Sequence, residues 1–298
     1  MSKIFVEDTN LVAIADAIRV KAGTTAPLVF PSGFKSAIEG IQTGGGDSDS
    51  ILKDIIERTA TSLTIPVGIT KIGDFAFYQH SNLTSISLPD GITSIDFAAF
   101  SDCSKLTSVS LPDSITNIGM SAFSNCSKLA LTSLPDGITN IGLSAFDGCS
   151  NITLTSLPSG LTEINIDSFE GCSKLALTSL PDGVTSIGNR AFKKCPKLAL
   201  TSLPNGLTSI GESAFNGCSN LALTSLPDGI TNISGNTFYG CISLTSMTLP
   251  NSLTKIDNYA FNACSNLTTI NVPWAEGEVA NAPWGATNAT INYNYTGE

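Results

Sequence analysis

Eight cysteines are the side chains in this sequence best equipped for chemistry, and their spacing is regular. Cys103, Cys126, Cys149, Cys172, Cys195, Cys218, Cys241 and Cys264 follow one another every 23 residues. An even count can mean disulfides, and thiolates can ligate zinc. Yet no Cys-x-x-Cys pair and no Cys/His cluster accompanies them, which disfavours zinc. The single histidine, His80, stands where the first period would carry its cysteine. It reads as an edge residue rather than a base or a ligand. There is no Gly-x-Ser-x-Gly elbow, no Walker loop and no isolated acid/base pair of carboxylates. The sequence therefore predicts a non-enzymatic protein with no catalytic residue, no cofactor and no metal.

The cysteines are one column of a larger repeat. Phe77, Phe100, Phe123, Phe146, Phe169, Phe192, Phe215, Phe238 and Phe261 form a second column with the same period, and prolines from Pro66 to Pro273 form a third. The stretch Pro135–Leu157, PDGITNIGLSAFDGCSNITLTSL, represents the unit, which recurs nine times between residues 66 and 272. A unit this short cannot bury its own apolar side chains, but stacked copies can, because each column then becomes a ladder inside a coil. The spacing suits one short strand, a turn at Pro-Asp-Gly, a second extended piece and a tight bend. The expected inward set of this unit is Ile138, Ile141, Ala145, Phe146, Cys149, Ile152 and Leu157. At ~4.8 Å per coil, nine coils would span roughly 45 Å. Equivalent cysteines then point the same way, inside, as buried thiols behaving like small hydrophobes and not as disulfide partners.

Leu134 to Ile152 follows L-P-x-x-I-T-x-I-G-x-x-A-F-x-x-C-x-x-L closely. In this the chain resembles the BspA-type leucine-rich repeat, found in bacterial surface proteins, over about two-thirds of its length. The resemblance implies a right-handed, curved, β-rich solenoid of parallel strands with a recognition role and no catalysis.

One change of pattern runs through the middle. Repeats 1, 2, 8 and 9 end as in Leu106–Leu111, with a hydrophobic residue after Leu-Thr-x. Repeats 3 to 7 carry Thr132, Thr155, Thr178, Thr201 and Thr224 there, with an apolar residue one position earlier. A one-position move swaps faces of an extended chain, so the strand path should change across these five coils.

Outside the repeats, the expected organisation is a helical hairpin at 1–43, a Gly/Ser/Asp linker at 44–50, an N-terminal cap at 51–65 and a C-terminal cap at 273–298. Leu11, Ile14, Ala15 and Ile18 make a helical stripe, as do Phe34, Ala37, Ile38 and Ile41. The segments DTNLVAIADAIRVKAG and FPSGFKSAIEGI resemble an N-terminal module of phage and prophage tail proteins of Firmicutes, and PWAEGEVANAPWGATNATINYNY resembles their ends. These likenesses imply attachment to a tail or baseplate protein through residues 1–43. Trp274 and Trp284 should cover the last coil.

Charge narrows the partners. A net charge of −10 argues against nucleic acid, whose binding rests on phosphate neutralisation. Apolar runs are too short to span a membrane, and residues 1–10 show no signal pattern. Together with the tail-protein likeness, these features predict a chain that is cytoplasmic before assembly and part of a virion afterwards.

Variation between repeats concentrates beside the Ala-Phe pair. Three positions before Phe, the column reads Asp74, Phe97, Met120, Leu143, Ile166, Asn189, Glu212, Gly235, Asn258. Its apolar run Phe97, Met120, Leu143 and Ile166, extended by Phe75 and Tyr78, is a candidate partner-binding strip. Arg190, Lys193 and Lys194, with Lys197, make a candidate positive spot for an acidic glycan or partner. Asp90, Asp113, Asp136, Asp182 and Asp228 form a column that could hold calcium, though Pro-Asp-Gly is first a turn sequence. Three readings follow: a tail-associated recognition protein binding a bacterial surface protein or glycan, a structural tail or baseplate subunit that could be a homo-oligomer, and a cell-surface adhesin.

Overall fold

In a computed structural model of the protein, residues 59–65 and 67–296 are described. The expected hairpin, the linker and residues 51–58 of the expected N-terminal cap lie outside them. Within them the chain is a parallel β-solenoid of leucine-rich-repeat type with no helix.

Each coil is nucleated by a two-residue strand at the Ile of Thr-x-Ile. Lys71–Ile72, Ser94–Ile95, Asn117–Ile118 and Asn140–Ile141 form a four-stranded parallel sheet. Glu163–Ile164, Ser186–Ile187 and Ser209–Ile210 form a second, and Asn232–Ile233 pairs with Lys255–Ile256. Every pairing of these two-residue strands joins residues 23 apart, so period and register are one fact. The isoleucines point in and the residue before each points out, as period two requires. Beside these strands, threonines reinforce the ladder: the hydroxyls of Thr93, Thr116, Thr139, Thr185, Thr208 and Thr254 each donate to the threonine carbonyl one coil back.

The opposite arc, carrying Ala-Phe, is a chain of turns. Alternate amides bond within the coil, as Cys103 N to Phe100 O (3.1 Å), and forward to the next coil, as Phe100 N to Ala122 O (2.7 Å). That alternation requires left-handed backbone two residues before and two after most of the phenylalanines, as at Ser144 (φ 53°) and Lys194 (φ 60°). Glycine solves a separate crowding problem at Gly142. A Cβ there would meet the Met120 amide nitrogen at 2.6 Å, so its absence lets adjacent coils close.

Inside, the nine phenylalanines stack along the axis with centroids 5.1–5.8 Å apart and planes within 13° of parallel. Offset stacking of this kind adds about 0.5–1.5 kcal/mol per pair beyond area burial. All seven expected inward residues of Pro135–Leu157 are buried, and Leu154 joins them. The cysteines do more than fill space. Each thiol donates to the phenylalanine carbonyl of the preceding coil, from Cys103 Sγ to Phe77 O (3.0 Å) through Cys264 Sγ to Phe238 O (2.9 Å). His80 is buried beside Phe77, its ring 6.1 Å away.

The strand path changes across the five middle coils, as the displaced threonines predict. At the two ends Ser62–Thr64, Ser85–Ser87 and Ser108–Ser110 form one sheet, and Ser246–Thr248, Thr269–Asn271 and Thr290–Asn292 another. Between them no strand occupies this position among the described residues. Leu131, Leu154, Leu177, Leu200 and Leu223 turn inward while Thr132, Thr155, Thr178, Thr201 and Thr224 turn out. The ladder slips by one residue: Thr153 N bonds Leu131 O, 22 positions back, where Thr107 N bonds Thr84 O, 23 back. At the far end Trp284 is buried, its indole N–H donating to Ala280 O (2.8 Å), and its carbonyl takes the Phe261 amide.

Two measurements follow. Ser168 stands in the alanine column, fully buried, with a hydroxyl that finds no partner. Ser168→Ala removes that cost and is expected to stabilise the protein by about 1 kcal/mol in urea unfolding. Burial raises the pKa of seven thiols, Cys218 to about 12 and Cys264 to about 11. The unfolded chain loses these protons first, so stability is full below about pH 9 and falls as pH rises, by up to about 1.4 kcal/mol per unit per thiol. Unfolding midpoints from pH 8 to 10.5 test this, and a flat profile contradicts it.

Candidate functional site

Because backbone groups are committed to coil-to-coil pairing, the side chains beside Ala-Phe are the part of each coil free to differ. They form a ridge along the solenoid, and the ridge is zoned. In its first half, Met120 (44%), Leu143 (38%) and Ile166 (38%) are exposed. Three large apolar side chains on successive coils make a continuous strip, which is unusual for solvent-facing positions. Phe97, Phe75 and Tyr78 only half-emerge. They pack on one another, Phe75 edge-on to Phe97 at 4.7 Å and to Tyr78 at 5.6 Å. Phe97 is held further by its amide, which donates to Asp74 Oδ1 at 3.0 Å. The three aromatics thus form a braced end to the strip, and the aliphatic trio is its accessible part.

The middle of the ridge corrects an expectation. Arg190 is exposed and Lys193 half-buried, but both are paired with acids rather than free as a positive spot. Arg190 grips Asp167 of the preceding coil through two bonds, 2.7 and 2.8 Å, and approaches Glu170 at 3.5 Å. Lys193 pairs with Glu170 at 2.9 Å. The 23-residue offset of the coils is what brings Asp167 and Glu170 opposite Arg190 and Lys193, a relation that sequence neighbours alone do not reveal. Lys194 and Lys197 remain exposed. The hydrogen bond from Arg190 holds the Asp167 carboxyl below its usual range. Asp147, partly buried and facing Glu170 and Asp167, is pushed the other way.

The last third carries residues missing from the sequence-derived site: Tyr239 (39% exposed), Ile242 (44%) and Tyr259 (61%). Tyr239 shares the Tyr78 column and Tyr259 the Phe75 column, so the same column comparison could have found them. The turn aspartates Asp90, Asp113, Asp136, Asp182 and Asp228 are exposed, and among the described residues no three His, Cys, Asp or Glu side chains converge as a metal site requires. No helix among the described residues is long and apolar enough to cross a membrane.

The profile of the BspA type leucine rich repeat region matches residues 57–176 and 185–281, in six copies. The chain belongs to that family. Its solenoid is of a kind that serves as a scaffold for binding, and no enzymatic family is indicated. No curated protein matches the sequence. Among solved structures, a leucine-rich repeat protein from Bacteroides ovatus shares 24% identity over 79% of this chain and 84% of its own, with a TM-score of 0.38. The pneumococcal vaccine antigen PcpA shares 22% over 78% and 66%, with a TM-score of 0.49. A leucine-rich repeat protein of T. pallidum shares 25% over 70% and 78%, with a TM-score of 0.37.

Arg190→Ala tests the ionic zone. Exposed pairs contribute little, so the expected loss is about 1 kcal/mol or less at pH 7. Because the Asp167 pKa is depressed, that contribution is present above the usual carboxylate range and vanishes as pH falls through it. Equal stabilities at pH 7 and a difference appearing only in acid would contradict the pairing.

Proposed function

We propose that the protein is a non-enzymatic recognition subunit of a phage or prophage tail that binds a bacterial surface molecule through the ridge beside the Ala-Phe columns. The observation that carries the binding part is the exposed trio Met120, Leu143 and Ile166 on three successive coils. Core positions of this fold are filled by other columns, so nothing in the packing demands apolar residues there. A strip of that chemistry fits a protein partner, whose apolar side chains gain by leaving water. The tail part rests on the likeness of residues 8–41 and 273–295 to tail proteins of Firmicutes. The first segment would serve for attachment to a tail or baseplate protein and the ridge for reception.

The strip would serve equally for contact between copies, as in a structural tail or baseplate subunit, and solution mass separates the two. Light scattering on the full chain is expected to give a monomer with the strip accessible; a stable oligomer that buries it supports the assembly role instead. The mutational test is Met120→Ser, Leu143→Ser and Ile166→Ser together. All three are exposed, so the melting temperature should hardly move. Binding of the purified protein to host cells should fall at least ten-fold, about 1.4 kcal/mol. Unchanged binding by a folded triple variant removes the strip from the receptor site.

A further inference from the structure

The last three coils present a surface of different chemistry from the strip. Along the same columns that hold Met120, Leu143 and Ile166, or Arg190 and Lys193, coils seven to nine carry Glu212, Ser213 and Asn216, then Gly235, Asn236 and Tyr239, then Asn258, Tyr259 and Asn262. Of these nine, only Glu212 is charged and none is a cation. The two tyrosines are among the most exposed large side chains of the described residues. Asn216, Asn236 and Asn258 make no side-chain hydrogen bond within the described residues, so each amide keeps its full donor and acceptor capacity facing outward or half-emerged. Around Gly235 a Cβ would meet nothing within 4 Å, so the ridge is notched there. Tyr259 also breaks the backbone rule of its column. The eight equivalents, from Phe75 to Asn236, are left-handed, and Tyr259 is not. In the ninth coil the amide of Phe261 bonds to Trp284 of the terminal segment in place of a regular tenth coil, which is where this departure arises.

We infer that this Tyr/Asn surface is a binding site for a neutral glycan, separate from the apolar strip. A tyrosine ring offers a rigid apolar face with a polar tip, at little entropic cost on binding. That matches a pyranose, which has an apolar C–H face and a hydroxyl rim. A primary amide donates and accepts at once, as two neighbouring hydroxyls require. A phosphate- or carboxylate-bearing polymer would need cations, which these positions lack, and Glu212 would repel it. A protein partner would be expected to meet a larger continuous apolar core than two rings bordered by Ile242. This inference deepens the recognition role above by giving the ridge a second ligand class, but its residues are distinct from the strip.

The experiment is saturation-transfer NMR and titration calorimetry on the full chain, with chitohexaose, cellohexaose, maltohexaose and yeast mannan as neutral probes and heparin as the anionic control. At least one neutral probe should bind, with transfer to its ring protons, and heparin should not. Tyr239→Ala with Tyr259→Ala should weaken that binding at least ten-fold while the melting temperature stays put; Asn258→Ala with Asn236→Ala should do the same more mildly. The Met120/Leu143/Ile166 serine variant should bind the glycan as well as the wild type does. Absence of binding to all four neutral probes overturns the inference, as does a tyrosine double variant that binds normally or a preference for heparin. If the tyrosine variant loses adhesion to protease-treated cells no more than wild type does, the surface contacts protein, and the glycan assignment falls while the apolar strip stands on its own test.

Discussion

Every coil of this molecule must present its peptide groups to the copy one period away, and that single demand shapes the rest. Residue i finds its partner at i+23 in the strands and at i+22 in the Ala-Phe arc. An insertion of one residue would put the Ile, Phe and Cys columns out of line together, exposing core side chains and misaligning the donors. Parallel pairing leaves no slack because side-chain direction alternates with every residue. The backbone is therefore spent on assembly, and recognition is left to the few side chains that neither bond to the next coil nor fill the interior.

The phenylalanine carbonyl shows how closely core and backbone are joined. It accepts the amide three residues on within its own coil and a thiol from the next coil, as Phe100 O does from the Cys103 N–H and from Cys126 Sγ. Cysteine suits the position because it is small and apolar enough for a dry interior, yet brings a weak donor. Burial suppresses its ionisation, so the same thiols are poor nucleophiles. Their regular spacing reflects packing, since all eight thiols lie buried in the core.

Much of this was legible in the sequence. Fixed columns of Phe, Cys and Pro implied stacked coils, and the inward set of Pro135–Leu157 followed from them, Leu154 excepted. The displaced threonine at Thr132 and its equivalents announced the altered strand path. What escaped was lateral. Arg190 looked like a free cation because its neighbours in sequence are lysines, while Asp167 faces it only after a full coil is added. Phe97 looked as accessible as Met120 because both share a column, yet Phe75 lies against it. Tyr259 ends a column with no run of aromatic residues, so the column itself does not mark it. Column reading gives the alignment of side chains, but exposure depends on which residues sit diagonally across two coils.

The altered path of the middle coils has a consequence for how such a molecule can change. Thr153 bonds Leu131, and Ala176, Ala199 and Ala222 repeat that bond to Leu154, Leu177 and Leu200. Each of these coils is thus a matched socket for the next, and any of them can follow any other. Unequal crossing-over among their genes would add or delete whole coils in frame, with every ladder resealed. The span between the aliphatic strip and the tyrosines would then lengthen or shorten in steps of one coil, about 5 Å each, while both ends kept their shape. The distance between the two surfaces would be inherited as an integer.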